Sequence, residues 1–249
     1  MADHTTYGLV CSELSEDLSK TNLGELKLDS FQDNSVQIKI KAASLNFPDL
    51  LMTQGKYQNR PNLPFALGME GAGIVEKVGS GVSSFKEGDE VMFGGWGHGA
   101  IAESIILPES LVSLKPKSLN FSEAASFKTA YLTAYVGLIR RGELKQGETL
   151  LVHGASGGVG MAAVQMGKLY GAKVIASGTS DEKLKIVKTW GADEIINTGL
   201  EGSVSFREEV KDLTEGKGAD VIYDPVGGDV FDESIRCINW GGRLLIIGF

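Results

Sequence analysis

The stretch Thr149-Leu150-Leu151-Val152-His153-Gly154-Ala155-Ser156-Gly157-Gly158-Val159-Gly160 decides how this chain folds. It begins as an apolar strand, bends through a cluster of glycines and runs straight into the apolar segment Val159 to Tyr170, which reads as a helix. Strand, glycine bend and helix in that order give a dinucleotide fingerprint its physical meaning. Gly157 lets the backbone approach a pyrophosphate and Gly160 lets the helix lie close on the strand. The helix N-terminus adds N–H groups and a partial positive charge. Ala155 stands in place of the first glycine of the strict pattern and only tightens the turn, while Ser156, Gly158 and Val159 complete the expected diphosphate contacts. A P-loop is excluded because no Gly-Lys-Ser/Thr follows. A glycine-rich turn in an ordinary α/β domain is the plainer alternative, and the segments around the bend decide against it.

Downstream, the chain keeps a strand–helix rhythm. Strand-like runs fall at Val174 to Ala176, Glu194 to Ile196, Val221 to Tyr223 and Leu244 to Ile247, and helical runs at Asp181 to Trp190, Phe206 to Leu213 and Phe231 to Ile238. That alternation implies right-handed crossovers and a doubly wound parallel sheet covered on both faces. Upstream the pattern differs. Tyr7 to Cys11, Leu23 to Leu28, Val36 to Ala42, Gly73 to Val78, Glu90 to Phe93 and Ile101 to Leu107 read as strands separated by turns such as Asp33-Asn34-Ser35, a mainly antiparallel β domain. Asn120 precedes Glu123 in a capping-box arrangement that opens an expected helix over Ala124 to Ile139. The boundary is therefore placed at Ser122, giving a β domain over 1–122 and a dinucleotide-binding domain over 123–249.

The end of the second strand of that domain selects the dinucleotide, because an acidic residue there would bond a ribose 2′-hydroxyl and repel a 2′-phosphate. Here it ends Ala176-Ser177-Gly178-Thr179, with Lys183 close behind. Hydroxyls, a glycine and a cation favour NADP(H) over NAD(H), so Ser177, Gly178, Thr179 and Lys183 join the cofactor set. Asp181 argues the other way, and Thr179 with Glu182 also matches a plain capping box.

Composition narrows the function classes. The 249 residues are 42% hydrophobic and 22% charged, enough for a sizeable core, and a net charge of -8 supplies no basic footprint for nucleic acid. No apolar run reaches the roughly 18 unbroken residues of a membrane span, and the acidic N-terminal region has no secretory-signal pattern, so a cytoplasmic protein is expected. Cys11 and Cys237 stand alone, and His4, His98 and His153 share no ligand spacing, so no metal site is expected.

Several further motifs occur in order: Asn46-Phe47-Pro48-Asp49, Gly55-Lys56-Tyr57, Leu67-Gly68-Met69-Glu70-Gly71-Ala72-Gly73, Tyr131-Leu132-Thr133-Ala134-Tyr135, Asp224-Pro225-Val226-Gly227-Gly228 and Gly241-Gly242-Arg243-Leu244. Together with the glycine bend they resemble the medium-chain dehydrogenase/reductase superfamily and, within it, the zinc-free NADPH:quinone oxidoreductases related to zeta-crystallin. The resemblance implies a GroES-like domain joined to a Rossmann domain, incomplete here at its C-terminus. It implies hydride transfer from NADPH to a quinone or an α,β-unsaturated carbonyl compound. It places Asn46 beside the nicotinamide and ribose, Thr133 near the carboxamide, Tyr57 in the acceptor pocket as a donor, and Asp49 as a pocket or structural carboxylate. Val226, Gly248 and Phe249 are implied as further cofactor contacts, and a homodimer is implied for full-length members. Two departures stand out: Gly68-Met69-Glu70 replaces the Gly-His-Glu run of zinc enzymes, and Leu51 replaces a second pocket tyrosine. A non-catalytic NADPH-binding protein, crystallin-like or regulatory, and an enoyl thioester reductase are the alternative readings.

Overall fold

The computed structural model describes residues 5–94, 99–199 and 206–248. The chain divides into two compact units, Met1–Thr129 and Ala130–Phe249.

The first unit is built from antiparallel strands. In chain order they are β1 (Thr5–Cys11), β2 (Thr21–Lys27), β3 (Ser35–Ser44), β4 (Phe65–Ala66), β5 (Glu70–Val78), β6 (Glu90–Gly94), β7 (Ser104–Pro108) and β8 (Val112–Leu114), with helices α1 (Phe47–Thr53) and α2 (Phe121–Ala125). They form a three-stranded sheet, β2-β1-β4, and a five-stranded sheet, β7-β3-β5-β6-β8. Alternation along β3 and β5 sends Val36, Ile38 and Val75 into one core with Val91, Phe93 and Ile105. The expected capping box is present: the Glu123 N–H donates to Asn120 Oδ1 at 2.9 Å and the Asn120 N–H to Glu123 Oε2 at 2.8 Å. Helix α2 buries Ala124 and Ala125 against Ala72 and Met92 of this unit. That packing puts the division at Thr129, later than the Ser122 boundary expected from the change in pattern.

The long helix expected over Ala124 to Ile139 is divided. After α2 come α3 (Lys128–Tyr135) and a π-helical stretch, Val136–Arg141. The Gly142 N–H donates to Gly137 O in the bond of a π-turn, and a Cβ on Gly137 would stand 3.2 Å from the Tyr223 ring.

The second unit continues through β9 (Thr149–Val152), α4 (Gly158–Leu169), β10 (Lys173–Gly178), α5 (Asp181–Thr189), β11 (Glu194–Asn197), α6 (Arg207–Leu213), β12 (Ala219–Asp224), α7 (Asp229–Ile235) and β13 (Ile238–Ile246). Its sheet is parallel, in the order β11-β10-β9-β12-β13. Both faces are covered. Leu150, Val152, Val174 and Val221 pack with Ala162, Ala163 and Val187 of α4 and α5, while Leu151, Ile175 and Ile222 pack with Phe206 and Val210 beside and within α6. Doubly buried strands explain the near-continuous apolar runs that marked these segments in the sequence. Strand β13 begins earlier than expected and takes in Ile238, which the sequence pattern had put in a helix. Arg243 on that strand donates to both carboxylate oxygens of Glu148, at 2.7 and 2.9 Å. The order of strands reverses between β9 and β12, where open α/β sheets bind ligands.

Candidate functional site

In the second unit the glycine bend leaves the end of β9 at that reversal. Gly154 has φ +54, and Gly157 caps α4 in an extended conformation with no side-chain bond to the helix. The amides of the first turn therefore have neither an intrahelical partner nor a capping side chain. The glycines differ in what surrounds them. A Cβ on Gly160 would lie 2.4 Å from Gly154 O and 2.8 Å from Ala155 Cα, so only glycine lets α4 rest on the bend. A Cβ on Gly158 would meet nothing within 4 Å, and on Gly157 only Gly154 O at 3.4 Å. These two glycines leave an open approach to the amides. Ser156 is exposed, Val159 is half-buried, and Ala155 is buried with its N–H on Ser177 O at 3.0 Å.

At the end of β10 the expected cofactor residues separate. Ser177 is 2% exposed and its hydroxyl lies 2.7 Å from His153 Nδ1, so its side chain faces the core and makes no surface for a phosphate. This corrects its expected part in the cofactor set. Gly178 is also buried, and its carbonyl accepts from the Thr198 N–H at 2.8 Å. Thr179 and Lys183 are exposed. The N-cap of α5 is Ser180, which accepts from the Lys183 N–H, and not Thr179 as the capping-box pattern suggested. Asp181 accepts from Asn197 Nδ2 at 2.6 Å.

Val226 is exposed and its methyl group comes within 3.3 Å of the Cβ position of Gly154, which brings the loop after β12 beside the bend. Asp224 shapes that loop: buried, it accepts from the Val226 and Gly227 N–H groups at 2.8 and 3.0 Å. Ile247 donates to Asp224 O at 2.9 Å, and Gly248, exposed with φ +78, follows it. Thr133 is half-buried on α3. Phe249 and His98 lie outside the described residues.

In the first unit the predicted polar residues converge on a carboxyl group that the sequence reading did not assign. Asn46 caps α1, and its N–H donates to Asp49 Oδ2 at 2.7 Å. Its side-chain Nδ2 donates to Ser44 Oγ at 3.1 Å and to Glu70 Oε1 at 3.0 Å. Glu70, 1% exposed, also accepts from Ser44 Oγ at 2.7 Å and from the Thr129 N–H at 2.7 Å. Asp49, equally buried, accepts at Oδ1 from the Gly68 N–H at 3.1 Å. Burial pushes the Asp49 carboxyl above its ordinary value, with a further push from Glu70, and the Asn46 and Gly68 amides pull against it. Burial likewise lowers Lys128, opposed by Glu70. Glu70 was visible in the sequence only as the end of the run that departs from Gly-His-Glu. Its signal was an acidic residue opening an otherwise apolar, glycine-rich strand.

Tyr57 stands apart from this network, packed on Cys11, Met52, Phe65, Leu67 and Met69. Asn46 and Asp49 are thus brought together, while Tyr57 belongs to a neighbouring apolar cluster. A catalytic zinc does not fit here: Asn46 turns its amide donors on Ser44 and Glu70, and Asp49 is taken up by main-chain N–H groups. Among the described residues no group of His, Cys, Asp and Glu could hold a metal ion. No described helix is long and apolar enough to cross a membrane.

Comparison with known proteins adds to this geometry. Residues 32–117 match the family described as alcohol dehydrogenase GroES-like domain, and residues 158–249 the family described as zinc-binding dehydrogenase. A quinone oxidoreductase-like protein 2 homolog of Nematostella vectensis is 38% identical over 242 residues, 97% of this chain and 65% of that protein. The chain thus spans just under two thirds of that relative's length. A quinone oxidoreductase structure from Pseudomonas syringae superposes with a TM-score of 0.87 at 34% identity, covering 96% of this chain and 72% of that one. A mycobacterial protein solved as a complex with NADPH gives a TM-score of 0.87 at 31% identity, covering 97% and 74%.

Proposed function

The chain belongs to the quinone oxidoreductase-like proteins of the medium-chain dehydrogenase/reductase superfamily, and from that premise we propose that it binds NADPH and reduces a quinone or an α,β-unsaturated carbonyl compound. The observation that carries the reading is the bend from Gly154 to Gly160, where only glycine fits against the protein at Gly160 and only open space faces Gly158. Such a bend offers main-chain N–H groups and a helix dipole to a diphosphate, with no side chain in the way. The bound nicotinamide supplies the hydride. Within the second unit the proposed roles are the bend for the diphosphate and Val226 and Thr133 for the nicotinamide half; within the first, Asn46 and Tyr57 are the polar groups proposed to bind. Asp49 and Glu70 hold Asn46 and the start of α1 in place. Orientation of the acceptor and donors aimed at its oxygen supply the rate enhancement.

The preference for NADPH rests on the exposed Thr179 just after β10 and Lys183 in the first turn of α5, and on the engagement by Asn197 of Asp181, the acidic residue beside them. Thermal melting with each nucleotide tests binding, since a ligand at a hundred times its Kd stabilises the fold by about 2.7 kcal/mol. NADPH is expected to raise the melting temperature more than NADH at equal concentration; equal shifts refute the preference. Following reduced-nicotinamide absorbance with a panel of quinones and enones tests the chemistry, and a folded protein that binds NADPH but turns over none of them leaves only the binding reading.

A further inference from the structure

His153 lies between β9 and Gly154, 1% exposed, and is engaged at both ring nitrogens. Nε2 lies 2.8 Å from Ser234 Oγ, and that hydroxyl donates its single proton to Val230 O at 2.7 Å. Ser234 can then only accept from the imidazole, so Nε2 carries the ring proton. Nδ1 is left as the acceptor, and Ser177 Oγ, at 2.7 Å, donates to it. The bonds run in one direction, from Ser177 through His153 to Ser234 and Val230. Ser177 also accepts the Ala155 N–H, so one residue braces the bend on both sides of Gly154.

We propose that His153 is a positioning residue for the dinucleotide site: a neutral, Nε2-protonated imidazole that ties the glycine bend to the end of β10 and to α7. The proposal rests on the reading of the bend as a diphosphate site. Three segments meet at this ring: Ser177 precedes Thr179, His153 precedes the bend, and Ser234 lies on the helix that follows Val226 to Gly228. Each is a segment from which a cofactor contact is expected. The other groups against the ring suit a neutral form. Phe206 packs on it with centroids 4.8 Å apart, and the charge that bears on it is Asp224, whose Oδ1 is occupied by the Val226 and Gly227 amides. Burial lowers the imidazole to about 4, with Asp224 opposing, so it is neutral at neutral pH.

Two measurements on the full chain test this. Long-range proton–nitrogen NMR of His153 at neutral pH is expected to show a protonated Nε2 and a bare Nδ1; a charged ring or the opposite tautomer overturns the proposal. Affinities for NADPH and NADH are then compared for wild type, Ser177→Ala and Ser234→Ala at a temperature where all are folded. Each variant removes one hydroxyl, and each is expected to weaken both nucleotides about fivefold to tenfold. Lowered melting temperatures with unchanged Kd overturn the positioning role and leave a purely structural histidine. A wild type that binds neither nucleotide overturns the diphosphate reading and the positioning role with it, an outcome distinct from unchanged variants.

Discussion

In the first unit the buried polar centre is acidic: Glu70 and Asp49, each 1% exposed, draw donors from Ser44, Asn46 and the main chain at Gly68 and Thr129. In the second it is an imidazole, His153, between two hydroxyls. The difference teaches what each unit is suited to hold. The buried carboxyl groups of the first unit consume donors, and so fix Ser44, Asn46 and the Gly68 and Thr129 amides around them. A neutral imidazole braces the glycine bend without adding charge to it, and the α4 amides keep their attraction for a diphosphate.

The largest way to break this contrast is at Glu70. Replacing it with Ala leaves Ser44 Oγ, Asn46 Nδ2 and the Thr129 N–H facing an empty buried site, and a loss of about 4 kcal/mol is expected in urea unfolding. Glu70→Gln keeps an acceptor and loses less; an alanine variant as stable as wild type refutes the hub.

Acid separates the units next. Unfolded, His153 takes a proton near 6.5, and folded only near 4, so in that window the unfolded chain binds more protons. Its contribution is complete above 6.5 and is lost as pH falls toward 4, by about 3 kcal/mol. Asp49, raised on folding, has the opposite sign: its folded form binds more protons, so the first unit loses stability as pH rises through the folded value. Hydrogen exchange on acidification should therefore release the amides of β9 before those of β3; the reverse order defeats this account.

The bend supplies a paired test. Gly160→Ala drives a Cβ into Gly154 O and is expected to cost about 2 kcal/mol, measurable by thermal melting, and to abolish nucleotide binding. Gly158→Ala meets no protein atom, so stability should hold or rise by up to about 1 kcal/mol while NADPH affinity falls at least about tenfold. A Gly158 variant with normal affinity moves the diphosphate elsewhere. The smallest expected effect is at the surface: Lys183→Ala should weaken NADPH about fivefold in titration and leave NADH unchanged, since an exposed ion pair contributes little.

Much of the fold was legible because its signals are local. Apolar runs bounded by glycines marked β9 to β12 to within a few residues, and the Asn120–Glu123 box marked the start of α2. The continuous helix expected after it was not found: the chain leaves helical geometry at Ser126, between α2 and α3, and widens into a π-turn at Gly137, and hydrophobic periodicity registers neither change. Helix α1 was missed for another reason: at seven residues it is too short to show a period. Ser177 misled because β10 is covered on both faces, so a hydroxyl near its end is buried whichever way it points.

What the amino-acid order alone determined is the sequence of elements and the glycine bend, because strand period, helix period and the steric demands of glycine act over a few neighbouring residues. Only the tertiary structure decided the partners of the buried polar groups. Glu70 meets Ser44, Asn46 and Thr129 across separations of 26, 24 and 59 residues, and His153 meets Ser177 and Ser234 across 24 and 81. A hydrogen bond needs its atoms within about 3 Å, and only the packing of whole sheets and helices brings such distant residues that close.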